Sequence, residues 1–450
     1  MFPDGFLWGV ASSAYQIEGG AAADGRTPSV WDSFSQQPGA VVRGESGAVA
    51  CDHFERYLED VDLMGELGVG AYRFSVSWPR VIPDGVGSPS ADGLAFYDRL
   101  VDALLERSIQ PWCTLYHWDM PEALFRKGGW LNRESADWFA DYAALLADRL
   151  GDRVANWMTL NEPQVYVHHG HTAGIHAPGM RYDAARIVPV IHHSLLAHGR
   201  ATQALRSFSR GKATIGWAPV GETRIPHTNS PDDIEAACDA MFRVEKREGW
   251  EFNNSWFSDP AVLGEYPADG LKHYGTMLPD RFERDLEIIR QPLDFYGVNI
   301  YQAPRIGVRD GSPSKIEERP GEPRTRFGWP VTPEALYWGP KFLHDRYQLP
   351  MYITENGLSS MDWVHLDGKV HDAGRIDFLH RYLRELERAV SDGVDVRGYF
   401  QWSILDNFEW AAGYDQRFGL VHVDFETGVR IPKDSYHWYR SVIAENALPS

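Results

Sequence analysis

Gln110-Pro111-Trp112-Cys113-Thr114-Leu115-Tyr116-His117 is a run of almost unbroken apolar character that ends on a polar side chain, and a helical stretch, Glu134 to Leu150, follows it. A strand that is apolar on both faces is buried on both faces, which is the mark of a parallel sheet covered by helices. Seven further runs share the pattern: Gly5 to Ser12, Ala71 to Trp78, Asn156 to Glu162, Lys212 to Pro219, Leu293 to Tyr301, Pro350 to Asn356 and Val396 to Leu405. Helical periodicity fills the intervals at Asp52 to Leu67, Gly93 to Arg107, Ala184 to Phe208, Pro231 to Glu248, Asp280 to Arg290, Pro333 to Tyr347 and Arg375 to Ser391. In the last of these, Phe378, Tyr382, Leu386 and Val390 make one stripe, with Arg381, Arg384, Glu385 and Arg388 facing outward.

Eight strand–helix alternations predict an α/β fold, a single (β/α)8 TIM barrel with long βα loops spanning residues 1–450. An open doubly wound sheet is the competing arrangement. It would place a glycine-rich phosphate loop after an early strand, where the chain instead reads Ala11-Ser12-Ser13-Ala14-Tyr15-Gln16. A barrel needs about 250 residues, so the surplus falls in loops: Arg26 to Ala50, Gly170 to Arg181, Ala303 to Trp329 and Asn407 to Ile431.

Composition removes several classes of function. The 450 residues carry 44 Lys+Arg against 63 Asp+Glu, a net charge of −19, which disfavours nucleic acid and anionic membrane surfaces as partners. No segment reaches the ~18 apolar residues of a membrane span. Cys51, Cys113 and Cys238 are too few and too scattered for a disulfide framework, which points to a reducing, cytoplasmic setting. The 13% aromatic content, with 17 tryptophans, is the number that composition alone does not explain.

Catalytic groups of such barrels lie at the C-terminal ends of the strands. Those positions hold Gln16, Arg73, His117, Asn161, Glu162, Asn299, Tyr301, Glu355, Asn356 and Trp402. No lysine stands among them for a Schiff base, and no set has metal-ligand spacing, so neither metal nor cofactor is expected. The His168-His169-Gly170-His171 cluster lies beyond the fourth strand without a carboxylate at ligand spacing. What remains is a carboxylate pair, which is what acetal hydrolysis requires: one group held protonated for the leaving oxygen, the other ionised to meet the anomeric centre. Trp157 and Tyr166, near in sequence, would desolvate Glu162 and raise its pKa; Arg73 and the Tyr301 hydroxyl would favour the anion of Glu355. Glu162 is then the acid/base and Glu355 the nucleophile.

Thr159-Leu160-Asn161-Glu162-Pro163 and Ile353-Thr354-Glu355-Asn356-Gly357 resemble the two signature segments of glycoside hydrolase family 1, the retaining β-glucosidases. Phe6-Leu7-Trp8-Gly9 with Ser12 to Gly19, Tyr116-His117-Trp118-Asp119, Trp402-Ser403 with Asp406-Asn407-Phe408-Glu409-Trp410, and Arg417-Phe418-Gly419-Leu420 are similar to other motifs of that family, so the likeness runs from Phe2 to Tyr439. The resemblance implies hydrolysis of terminal non-reducing β-D-glucosyl residues through a glycosyl-enzyme on Glu355. It implies that Gln16, His117, Asn161, Glu409 and Trp410 bind glycone hydroxyls, with Trp402 beneath the ring. Arg73, Asn299 and Tyr301 would orient the nucleophile and Trp329 would face the aglycone. Trp118, which reads by itself as core, and Phe418 join the substrate-facing set.

Ile300 departs from the tyrosine, and Glu122 from the glutamine, common in the family. Glu409 would repel a 6-phosphate, and Gln416 and Phe418 replace the Lys and Tyr of the phospho-type enzymes, so neutral β-glucosides or oligosaccharides are the expected small-molecule partners. The sequence also admits a homo-oligomer. Alternative readings are a broader β-galactosidase/β-fucosidase of the same family, a non-hydrolytic sugar-binding barrel and a metal-dependent barrel hydrolase.

Overall fold

The computed structural model describes residues 1–449. Eight parallel strands form one sheet: β1 (Leu7–Ala11), β2 (Ala71–Ser75), β3 (Gln110–Tyr116), β4 (Asn156–Asn161), β5 (Thr214–Ala218), β6 (Tyr296–Asn299), β7 (Met351–Asn356) and β8 (Val396–Trp402). Their order is β5-β4-β3-β2-β1-β8-β7-β6. The two ends of that order meet. The Asp294 N–H donates to Ile215 O at 2.8 Å, the Asn299 N–H to Pro219 O at 3.0 Å and the Gly221 N–H to Asn299 O at 2.8 Å, joining β5 to β6. The sheet is therefore a barrel, and the open-sheet alternative is set aside.

Side chains fill the inside. Trp112 packs on Phe295, Tyr352 and Phe400 at ring-centroid distances of 5.3, 4.7 and 5.1 Å, with Ala11, Ala71, Met158 and Ala218 in the same cluster. Large rings facing small residues close the interior below the rim, so the site opens at the C-terminal face.

The expected helices are present with small shifts at their ends: His53–Leu67, Ala91–Glu106, Ser135–Leu150, Ala184–Phe208, Phe282–Ile289, Ala335–Tyr347 and Ala373–Ser391. Phe378, Tyr382 and Leu386 are buried in the last, while Val390 is half-buried. The helix expected over Pro231 to Glu248 stops at Phe242. Beyond that point Asn254 Nδ2 takes the Met241 carbonyl at 2.9 Å, Asn253 Nδ2 takes that of Arg243 at 3.0 Å, and the Val244 N–H goes to Asp269 Oδ2 at 2.9 Å. Side chains thus satisfy backbone groups that a longer helix would have used. Two segments read as loops contain strands: Arg305–Arg309 pairs with Ser312–Lys315 around Asp310-Gly311, and Val421–Val423 pairs with Arg430–Pro432. A final helix, Asp434–Glu445, packs back on the barrel, and its Tyr439 hydroxyl donates to Gly9 O at 3.0 Å.

Among the described residues no helix is long and apolar enough to cross a membrane.

Candidate active site

Two carboxylates at the barrel rim are aimed by irregular backbone. In β4 the register against β5 shifts between Met158 and Asn161, and in β7 the register against β6 shifts between Ile353 and Glu355. Such shifts re-aim the side chains that follow them. Glu162 then adopts a left-handed conformation, φ 45° and ψ 62°, and Pro163 opens the next helix. A non-glycine residue at positive φ carries strain, which concentrates at functional sites; Trp118 (φ 79°) and Trp410 (φ 54°), on the same cavity wall, share the feature. The glycine of the Glu355-Asn356-Gly357 segment has a steric cause, because a Cβ at Gly357 would collide with the Trp402 carbonyl.

Glu355 is buried and meets a donor on each oxygen. Arg73 Nη1 lies 2.5 Å from Oε1, and the Tyr301 hydroxyl donates to Oε2 at 2.7 Å. Arg73 is fixed in turn: Nη1 also donates to Thr354 O at 3.0 Å, Nε to Thr114 Oγ1 at 3.2 Å, and Nη2 to Asn161 Oδ1. Burial beside Glu355 pushes the Tyr301 phenol well above its usual range, so its hydroxyl keeps its proton and remains a donor.

Glu162, also buried, has one partner. Asn299 Nδ2 donates to its Oε1 at 3.0 Å and to Asn161 Oδ1 at 3.0 Å, while Asn299 Oδ1 accepts from Thr354 Oγ1 at 2.6 Å. Burial, followed by the neighbouring Glu355 charge, raises the Glu162 pKa to about 8. The cause differs from the one expected: Trp157 lies near the opposite end of β4, with its indole N–H on Val154 O at 3.1 Å, and Tyr166 packs on Tyr116 and Trp130. Enclosure in the cavity replaces contact with those rings. Burial also lifts Glu355 above its ordinary range, contrary to its expected ready ionisation, and Arg73 and Tyr301 pull it back. The two acids therefore differ through what opposes burial: a cation and a phenol on Glu355, an amide on Glu162.

A cavity of about 520 Å³ lies over this pair. The structure places His117, Trp118, Glu162, Asn299, Tyr301, Trp329, Glu355, Trp402, Glu409, Trp410 and Phe418 on its wall. Gln16, Arg73 and Asn161 are enclosed behind it rather than on it. Gln16 Nε2 donates to Asn407 Oδ1 at 3.1 Å, Phe408 O at 2.9 Å and Glu409 Oε2 at 3.3 Å, so it holds the eighth loop in place. Burial, with the Glu355 and Glu162 charges adding to it, pushes Glu409 well above the usual carboxylate range.

Asn161 Nδ2 is 3.1 Å from His117 Nε2, and burial with the nearby Arg73 charge keeps that imidazole neutral. Its ring stacks with Trp402 and Trp410, at centroid distances of 5.8 and 5.9 Å. Trp118 belongs to the wall as well as the core, 4.5 Å from Trp410, and its N–H donates to Asn161 O at 2.9 Å. Opposite, Trp329 packs against Tyr301, Phe327 and Phe418.

The wall also includes Val165, His169, Ile175, His176, Glu222, Phe252 and Gln302. His169 comes from the helical turn His168–Thr172, and Glu222 and Phe252 come from loops, where no periodicity reports on neighbours. The histidine cluster splits up: His168 pairs with Glu251 at 3.2 Å, His171 Nδ1 bonds Tyr166 O at 2.9 Å, and His169 lies against His176.

A closed barrel whose rim sets two unlike carboxylates beneath an aromatic-walled cavity is the constellation of a glycoside hydrolase. The profile of glycosyl hydrolase family 1 matches residues 1–448, and the chain belongs to that family. It is 46% identical over 454 residues to β-glucosidase A of Thermotoga maritima, covering 99% of this chain and 98% of the relative. It is 45% identical over 452 residues to a 1,4-β-D-glucan glucohydrolase of Thermotoga neapolitana, covering 99% of each. The solved structure of the Thermotoga maritima β-glucosidase in complex with glucoimidazole superposes with a TM-score of 0.91 at 44% identity, over 100% of this chain and 99% of that one.

Proposed function

We propose that the protein is a retaining β-glucosidase acting on neutral β-glucosides or oligosaccharides, with Glu355 as nucleophile and Glu162 as acid/base. The observation that carries the assignment is the unequal support of the two buried acids: Arg73 and Tyr301 converge on Glu355, whereas Glu162 receives only the Asn299 amide. A Glu355 oxygen attacks the anomeric carbon as the glycosidic C–O bond breaks, and the Glu162 proton passes to the departing oxygen. A water then gives its proton to Glu162 and attacks the same carbon, releasing Glu355 and a β-sugar. Two inversions retain configuration, and the carboxyl separation proper to this course is about 5–5.5 Å.

His117, Glu409 and Trp410 would take the glycone hydroxyls, with Trp402 beneath the ring, Gln16 acting through Glu409, Asn161 acting through His117, and Trp118, Trp329 and Phe418 as apolar walls. None of the residues lining the cavity is a lysine or arginine, so a 6-phosphate on the glycone would be desolvated there without a cation to pair with. Residues 1–450 are assigned to one domain, and the cytoplasm is the compartment suited to the three free cysteines.

A panel of aryl β-glucoside, β-galactoside, β-fucoside and 6-phospho-β-glucoside tests the substrate class. Turnover favouring the glucoside is expected; preference for the phosphorylated sugar would overturn it.

A further inference from the structure

Four carboxylates line the cavity: Glu162, Glu355, Glu409 and Glu222. The first three belong to the floor that receives the glycone. Glu222 stands apart, in the loop after β5, on a wall that also includes the apolar Phe252 and Val165 and the imidazoles of His169 and His176. Burial lowers the pKa of His169 to about 4 and that of His176 well below its usual range, so neither is charged at neutral pH. Glu222 is the carboxylate that the loop after β5 contributes to the wall, paired with Arg224.

It is also held in place. The Asn254 side chain, fully buried, brackets the Glu222 backbone: Oδ1 accepts its N–H at 3.2 Å and Nδ2 donates to its carbonyl at 2.9 Å. Arg224 Nη1 donates to Oε2 at 3.0 Å and to Thr223 O at 2.9 Å, steadying the carboxylate from one side. Oε1 makes no hydrogen bond to another described residue. A fixed carboxylate with one free acceptor, set in a mostly apolar mouth, is matched by hydroxyl donors. It is left desolvated by an aryl group and, by occupying Arg224, keeps that cation from pairing with an anion.

We propose that Glu222 is a specificity-determining residue that makes the aglycone site select a second sugar over an aryl or carboxylate-bearing group; the inference rests on the β-glucosidase reading. A hydroxyl of the second pyranose donates to Oε1, while Phe252 and Trp329 offer the apolar surfaces that the faces of a sugar ring require.

The test compares kcat/KM of the wild type, Glu222→Gln and Glu222→Ala on cellobiose, 4-nitrophenyl β-glucoside and 4-carboxyphenyl β-glucoside. Glu222→Gln should lower the cellobiose-to-nitrophenyl ratio about tenfold, mainly through the KM of the disaccharide. It should raise the carboxyphenyl-to-nitrophenyl ratio about threefold. Glu222→Ala should move both ratios in the same directions. A general loss of structure cannot shift two ratios oppositely. Both ratios staying within about twofold of wild type in either variant would overturn the inference. So would a wild type that hydrolyses the nitrophenyl glucoside but not cellobiose, with the β-glucosidase reading left standing. A wild type that hydrolyses none of the three removes that reading and this inference with it.

Discussion

The β7 side of the site and the β4 side place the same functional group at the same rim, yet they build opposite surroundings for it. Around Glu355, an arginine and a tyrosine hydroxyl address both oxygens, and the arginine is itself tied to Thr114, Thr354 and Asn161. Around Glu162, a single amide nitrogen reaches one oxygen. Burial is common to both, so the difference in partners separates their chemistry. Asn299 links the two sides, donating to Glu162 while its own carbonyl is fixed by Thr354, the residue before Glu355.

The largest effect that would break this contrast comes from the better supported acid. Glu355→Ala should lower turnover of an activated aryl β-glucoside by at least ~10⁴-fold, as loss of a nucleophile does. Steady-state rates check it, and a variant retaining substantial activity would put the nucleophile elsewhere.

Glu162→Ala should be selective. In kcat/KM, which reports the first step, a poor leaving group should lose about 10²–10⁴-fold, the range of general acid catalysis, while a good leaving group departs without the proton and loses much less. A series of aryl glucosides of graded leaving-group pKa measures the slope. Equal losses along the series would contradict the acid role.

pH dependence sharpens the contrast further. Glu162 works as a proton donor and its pKa is raised to about 8, so kcat/KM should fall as pH rises through that region. Glu355 must be ionised, so activity should also fall toward acid. The limbs report the coupled pair rather than isolated groups. Tyr301→Phe removes a donor to the Glu355 anion; it should cost about tenfold in kcat and move the acid limb to higher pH. An unmoved acid limb would mean that the phenol does not support the nucleophile.

Trp329→Ala should have the smallest effect, about three- to tenfold in KM with kcat nearly kept, since it removes an apolar face from the mouth and no group from the floor.

The sequence revealed the two sides unevenly. The eight strands are short, largely apolar runs, and the residues at their ends converge because parallel strands share one C-terminal edge; Glu162, Asn299, Tyr301 and Glu355 were legible for that reason, whereas Arg73, read as a strand-end residue, is the middle residue of β2 and reaches Glu355 through its long side chain. The contacts that raise Glu162 were not, because Trp157 and Tyr166 are close to it in sequence but packed elsewhere. Gln16 was legible as a rim residue, whereas its place behind Glu409 depends on the fold of the eighth loop. The hairpin around Asp310-Gly311 had a local signal, an Asp-Gly pair at positive φ, inside a stretch read as loop. The early end of the helix at Phe242 had none nearby, since Asn253, Asn254 and Asp269 hold the chain from 10 to 25 residues away. Glu222 and Phe252 reach the cavity from loops, for which spacing carries no information about neighbours.

The central claim is that Glu355 bonds to the sugar while Glu162 handles the proton. A glucoside bearing fluorine at C2 and an activated leaving group tests it directly, because the fluorine disfavours the cation-like transition states and the good leaving group favours the first step, so an intermediate accumulates. Mass spectrometry of the peptides should then find one added fluoroglucosyl group on the peptide containing Ile353-Thr354-Glu355-Asn356-Gly357, at Glu355. An adduct on the peptide carrying Glu162, or substrate turnover with no covalent adduct and release of the α-anomer, would contradict it.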